Sequence, residues 1–204
     1  CEASHNYFVG DATHYPNCIS FGGAFGTTSV YDNYFYDGGS SVYFANAQGT
    51  LNIANNVFKN VGKTTFTAPD GGNKGDFCIA IYRSGYANTT TANILANEFD
   101  GCYGQASLFP LIRIYQGTSG STNVVTPVGF RVNVNENTFK NKISVLPSAS
   151  HNQAGEKVLL YNDLSTGKAI KYNLSNNHFD NRLYKFAWVT LDDGQGCREI
   201  YADQ

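Results

Sequence analysis

Asn173-Leu174-Ser175-Asn176-Asn177-His178-Phe179 is one copy of a phrase that recurs along the chain. Its core, Asn-x-Phe, occurs six times, at Asn6 to Phe8, Asn33 to Phe35, Asn56 to Phe58, Asn97 to Phe99, Asn137 to Phe139 and Asn177 to Phe179. In the later copies the phrase is longer and reads apolar-Asn-apolar-x-x-Asn-x-Phe. Leu51-Asn52-Ile53 precedes Phe58 in this way, Ala92-Asn93-Ile94 precedes Phe99, Val132-Asn133-Val134 precedes Phe139 and Tyr172-Asn173-Leu174 precedes Phe179. Self-similarity at such periods is the signature of repeat architectures, in which each unit buries its apolar face only against its neighbours.

Each phrase follows a second apolar strand and a glycine-bearing turn. Ile79-Ala80-Ile81-Tyr82, Ile112-Arg113-Ile114-Tyr115 and Val158-Leu159-Leu160-Tyr161 are the companion strands of the later copies. Phe186-Ala187-Trp188-Val189-Thr190-Leu191 reads as the start of a sixth coil. The repeat phenylalanines are 27, 23, 41, 40 and 40 residues apart. The first two spacings suit a bare coil of short strands. The later three suit the same coil carrying a loop, and Gly62 to Gly75, Gly117 to Pro127 and Asn141 to Gly155 have the glycine, proline and polar content of such loops. No sustained apolar stripe at helical spacing competes.

The predicted architecture is an all-β solenoid of about six coils with loop insertions. Residues 1–204 read as a single domain and, with no capping segment before the first Asn-x-Phe, as a segment of a longer chain. Parallel in-register stacking sets like residues above like. Phe58, Phe99, Phe139 and Phe179 then form an internal aromatic stack, and Asn56, Asn97, Asn137 and Asn177 form a ladder that satisfies buried polar groups at a corner. Asparagine also tolerates the left-handed backbone that a sharp corner demands.

Composition narrows the partners. Of the 204 residues 15% are charged, the net charge is −2 and there is no basic run, which excludes a phosphate-tracking nucleic-acid binder. No apolar run is long enough to span a membrane. The five cysteines, Cys1, Cys18, Cys78, Cys102 and Cys197, contain no Cys-x-x-Cys pair, so no structural metal site and no cofactor is expected. An oxidising compartment is expected. Cys1 with Cys18 and Cys78 with Cys102 are near in the chain, but spacing leaves the pairing open. The sequon Asn88-Thr89-Thr90 permits glycosylation in a eukaryotic source, whereas Asn173-Leu174-Ser175 sits inside a repeat strand and is discounted.

The repeats, with Leu51-Asn52-Ile53-Ala54-Asn55-Asn56-Val57-Phe58-Lys59-Asn60 as the most typical copy, resemble the right-handed parallel β-helix of the pectate-lyase-like superfamily. The resemblance covers about Asn6 to Leu191. It implies a right-handed coil and a polysaccharide or glycan as partner. Members include polysaccharide lyases and hydrolases, adhesins and structural stalks, some of them built of several subunits.

Strand parity points to the surface residues. If the paired aliphatics of the companion strands face inward, Tyr82, Tyr115 and Tyr161 stack outside, with Tyr43 near the same column and Arg113 beside them. Tyrosine faces would stack on sugar rings while Arg113 bonds their hydroxyls. Cover by the inserted loops or by another subunit is the plain structural alternative. A catalytic reading is weaker. Arg83 and Arg113, on successive coils, are similar to the basic residues of the chondroitinase-B and alginate-lyase branch, yet Arg83 has the parity of the isoleucines and Arg113 has no basic neighbour. Glu98 and Glu136 fall on different columns, so no hydrolase pair forms. Asp192-Asp193 reads as a turn and His178 as a surface position. The expectation is therefore a non-catalytic extracellular or cell-surface module that binds carbohydrate or serves as an adhesin-like scaffold. A lyase or hydrolase is the alternative.

Overall fold

The computed structural model describes residues 1–10, 17–23, 26–37, 40–45, 47–61, 78–84, 90–102, 111–117, 130–141, 161–164, 170–179, 187–190 and 197–200. Among them there is no helix. Strands recur in threes: β1 (Glu2–Ser4), β2 (Tyr7–Val9) and β3 (Asn17–Phe21), then β4 (Thr27–Tyr31), β5 (Tyr34–Tyr36) and β6 (Ser40–Phe44). The pattern continues with β7 (Gly49–Ala54), β8 (Val57–Lys59) and β9 (Ile79–Ser84), then β10 (Thr90–Leu95), β11 (Glu98–Asp100) and β12 (Ile112–Gly117). After β13 (Phe130–Asn135), β14 (Thr138–Lys140) and β15 (Tyr161–Leu164) come β16 (Ile170–Ser175) and β17 (His178–Phe179).

Like strands pair with like in three parallel sheets. The first runs β1-β4-β7-β10-β13-β16, the second β2-β5-β8-β11-β14-β17 and the third β3-β6-β9-β12-β15. This stack of parallel strands is compatible with a β-solenoid. Alternation at period two decides what faces the interior. In the first sheet Val30, Ile53, Ile94, Val134 and Leu174 lie in one register column, and the first four are buried. In the third sheet Ile19, Val42, Ile79 and Ile112 form another buried column.

The phenylalanines of the phrase stack in the second sheet. Ring centroids are 5.0 Å apart for Phe8–Phe35, 4.9 Å for Phe35–Phe58, 5.0 Å for Phe58–Phe99, 4.7 Å for Phe99–Phe139 and 4.9 Å for Phe139–Phe179, with planes within 10°. That spacing is the strand separation of a sheet, so the rings add stacking to burial at no cost in register.

The asparagine ladder runs along the corner between the first two sheets. Each Oδ1 accepts both the backbone N–H and the side-chain Nδ2 of the asparagine one repeat earlier, at 2.9–3.1 Å, from Asn6 through Asn33, Asn56, Asn97 and Asn137 to Asn177. Nδ2 also donates back to a strand carbonyl, Ile53 O for Asn97 and Ile94 O for Asn137, both at 2.9 Å. The amide thus supplies the hydrogen bonds that the backbone loses where it turns the corner.

One expectation changes here. The left-handed residue is not the ladder asparagine but the residue before it: His5, Asp32, Asn55, Ala96, Glu136 and Asn176 have φ between 52° and 60°. A second left-handed position, two residues after the phenylalanine, is Asp37, Asn60, Gly101 and Asn141. The ladder asparagine keeps ordinary backbone because its side chain, not its φ, is what the corner uses. Gly49 is obligatory for another reason: φ is +83° and a Cβ there would lie 2.2 Å from Gly26 O.

The segment expected to open a sixth coil does something different. β18 (Ala187–Thr190) pairs antiparallel with β19 (Cys197–Ile200) in a separate two-stranded sheet, and it approaches β15 without joining the third sheet.

Candidate functional site

The register redistributes the surface residues expected on the third sheet. Tyr82 pairs with Tyr115, and Tyr115 with Asp163. Tyr161 pairs instead with Arg113, in a column that continues to Ala80 and Tyr43. The two columns share one parity and lie side by side. Tyr161 is therefore displaced by two residues from Tyr82 and Tyr115. Ala80, on that same parity, is only 3% exposed. The side chains of Tyr82, Arg113, Tyr115 and Tyr161 lie outside the described residues, as do the inserted loops at 62–75, 118–127 and 142–155.

An aromatic surface that parity in the companion strands did not single out lies on the second sheet. Tyr7 and Tyr34 are register partners, stacked with centroids 4.8 Å apart and planes 9° apart. Tyr36 adds a third ring 6.5 Å from Tyr34. Tyr7 is 66% exposed and Val9 62%. The signal was in the phrase itself: Tyr7 and Tyr34 fill the x of Asn-x-Phe, so a buried phenylalanine forces its neighbours outward.

Farther along the same face the two columns become polar. Tyr7 and Tyr34 continue into Val57, Glu98, Thr138 and His178, and Tyr36 into Lys59, Asp100 and Lys140. Lys59 Nζ lies 3.6 Å from Asp100 and Lys140 Nζ 2.8 Å from Glu98. Asn141 Nδ2 donates to Asp100 Oδ1 at 2.7 Å. Glu98 is thus spent on Lys140, while Glu136 occupies the left-handed corner, so the two carboxylates stay apart. His178 is exposed, as expected of a surface position.

Beside the aromatic patch in sequence, the first corner carries Glu2, Ser4, His5, Tyr31 and Asp32. Glu2 Oε1 accepts from the Tyr31 hydroxyl at 2.5 Å and from Ser4 Oγ at 3.1 Å. Those bonds, Tyr31's first, hold the Glu2 carboxyl below its ordinary range. His5 stands edge-on to Tyr31 with centroids 5.8 Å apart, and its Nε2 is 3.7 Å from Asp32. On the outer face of the first sheet Asn133 donates to Asn93 at 2.7 Å and Asn93 to Asn52 at 2.9 Å.

Among the described residues no group of three or more His, Cys, Asp or Glu side chains could hold a metal, and no helix is long and apolar enough to cross a membrane. Asp192 and Asp193 lie outside the described residues. Comparison with protein-family models, curated proteins and solved structures returned no match.

Proposed function

We propose that this chain is a carbohydrate-binding module of the extracellular space or cell surface, a right-handed parallel β-helix of about six coils in the pectate-lyase-like superfamily. The observation that carries the reading is the face-to-face Tyr7–Tyr34 stack, with Tyr7 exposed, Tyr34 half-buried and Tyr36 beside it. Exposed tyrosine offers an apolar face with a polar tip, which suits the C–H faces and hydroxyls of a pyranose. Two rings held at strand spacing present a rigid surface, so little side-chain entropy is lost on binding. The register-paired Tyr82 and Tyr115, with Arg113 and Tyr161 in the adjoining column, are the second aromatic group proposed to take part.

The test is a glycan array with the whole chain, run beside an assay for unsaturated uronate products. Binding to a polysaccharide that Tyr7→Ala/Tyr34→Ala abolishes, while the circular dichroism spectrum is unchanged, supports the platform. Binding lost only in Tyr82→Ala/Tyr115→Ala moves the site to the third sheet. Release of unsaturated uronate would replace this reading with a polysaccharide lyase. No glycan bound by the intact chain leaves a surface scaffold.

A further inference from the structure

We propose that Asn173 is the acceptor of an N-linked glycan, a modification site on the outer face of the first sheet. Its place inside a repeat strand counts against the sequon Asn173-Leu174-Ser175, and the geometry of β16 removes that objection. Leu174 packs against the apolar cluster, so Asn173 beside it turns outward, and Asn173 is exposed.

The column in which Asn173 stands singles it out. Register aligns it with Asn133, Asn93 and Asn52. Those three are half-buried and held side chain to side chain. Asn133 Nδ2 donates to Asn93, Asn93 Nδ2 to Asn52, and Asn52 Nδ2 to Ser29 Oγ at 3.5 Å. A sugar on any of these nitrogens would crowd the amide or hydroxyl of the neighbouring strand. The Asn173 side chain makes no hydrogen bond among the described residues, and β16 is the last strand of its sheet. The residue two places on decides which asparagine a transferase can use. Ala54, Leu95 and Asn135 follow Asn52, Asn93 and Asn133, and in this column only Asn173 is followed by a hydroxyl, that of Ser175. The asparagine whose nitrogen is free is thus the one that the sequence marks. Asn88, of the other sequon, lies outside the described residues.

The donor class is an oligosaccharide joined through a diphosphate to a membrane lipid. Asn173 Nδ2 attacks C1 of its first sugar. The N–C1 bond forms, the bond from C1 to the diphosphate oxygen breaks, and the lipid diphosphate leaves with that electron pair. The proton lost by the amide goes to a base of the transferase, and nothing is oxidised or reduced. In the folded chain Ser175 N and Ser175 Oγ both donate to Asn135 Oδ1, at 3.1 and 3.0 Å, so the hydroxyl is engaged once β16 has paired with β13. Transfer therefore precedes that pairing and takes place on the extended chain. The outward course of Asn173 then leaves room for the glycan when the strand closes. A glycan is bulky and solubilising, and here it keeps this end of the outer face in water.

The inference rests on the extracellular reading only for the chain's entry into a compartment that holds the transferase, and the test supplies that entry. The full chain is expressed in eukaryotic cells behind a cleavable secretion signal. Secreted and cell-retained protein are both mapped by mass spectrometry, before and after treatment with peptide-N-glycosidase. A glycan is expected on the Asn173 peptide, with aspartate in place of Asn173 after the enzyme. Asn88→Gln and Ser175→Thr are expected to keep that glycan, and Asn173→Gln and Ser175→Ala to lose it. Asn173 unmodified in the unsubstituted chain, or still modified in Ser175→Ala, overturns the proposal. Enzymatic trimming of the folded chain is expected to leave its thermal midpoint unchanged; a lowered midpoint overturns the outward placement. Because entry is supplied, an unmodified Asn173 fails this inference alone, whereas a blank glycan array fails the carbohydrate-binding reading alone.

Discussion

Asn97 Oδ1 accepts the Nδ2 of Asn56 and the backbone N–H of Asn56, both at 3.0 Å, from 41 residues earlier in the chain. One acceptor atom satisfies two donors of the repeat before it, while the same side chain donates onward to Asn137 Oδ1 at 3.0 Å and back to Ile53 O at 2.9 Å. The side chain is 1% exposed, so water cannot replace these bonds.

Asn97→Ala is accordingly expected to destabilise the fold by about 3 kcal/mol or more, because it strands donors of Asn56 and the carbonyl of Ile53 without partners. Asn97→Asp separates the two roles. It keeps the acceptor and loses the donors, and it places a carboxylate against Asn137 Oδ1. Urea unfolding followed by circular dichroism checks both; an effect under 1 kcal/mol for Asn97→Ala would show that the ladder is not what holds the corner.

Ala96 is the one alanine among the six residues before the ladder, and its φ is 52°. Its Cβ is strained in the left-handed region, where glycine and asparagine are not. Ala96→Gly is expected to stabilise by about 0.5–1 kcal/mol, and Asn55→Ala to destabilise by a similar amount. Both positions are exposed, so denaturation midpoints read the backbone effect with little change in packing.

Thr28 faces the interior in register with Leu51, and its hydroxyl is buried without a hydrogen-bond partner among the described residues. Thr28→Val removes that hydroxyl at nearly constant volume and is expected to raise stability by about 1 kcal/mol. Unchanged or reduced stability would mean that the hydroxyl has found a partner.

Phe99 touches a ring on each side, Phe58 at 5.0 Å and Phe139 at 4.7 Å. Phe99→Ala is expected to cost about 3–5 kcal/mol through the cavity it leaves, and Phe99→Leu distinctly less. In a stack whose units contact only neighbours, the loss should appear as a second unfolding step as well as a lower midpoint. A single sharp transition in Phe99→Ala, followed by calorimetry, would argue that the whole stack unfolds as one unit.

Much of this was legible in the chain because stacking in register copies one repeat's chemistry onto the next. The order Asn-x-Phe, with an apolar residue either side of the earlier asparagine, sufficed to place the phenylalanines inside and the asparagines at a corner. Which residue turns the corner was not legible: His5, Asp32, Asn55, Ala96, Glu136 and Asn176 share a backbone angle and no side-chain type. The antiparallel pairing of β18 and β19 was hidden for a related reason, since an apolar strand reads the same whichever direction its partner runs.

The sequence by itself determined the parallel stacking and the inward columns, because a period of two and a recurring phrase leave few other ways to bury the aliphatics. Only the tertiary structure decided the register between strands separated by loops of unequal length. A loop hides the offset, so parity alone set Tyr161 with Tyr115, whereas pairing sets it with Arg113. Contact across repeats also decided that Tyr7 stacks face to face on Tyr34. The phrase records that both tyrosines face outward, and only the register between the two strands records that their rings meet.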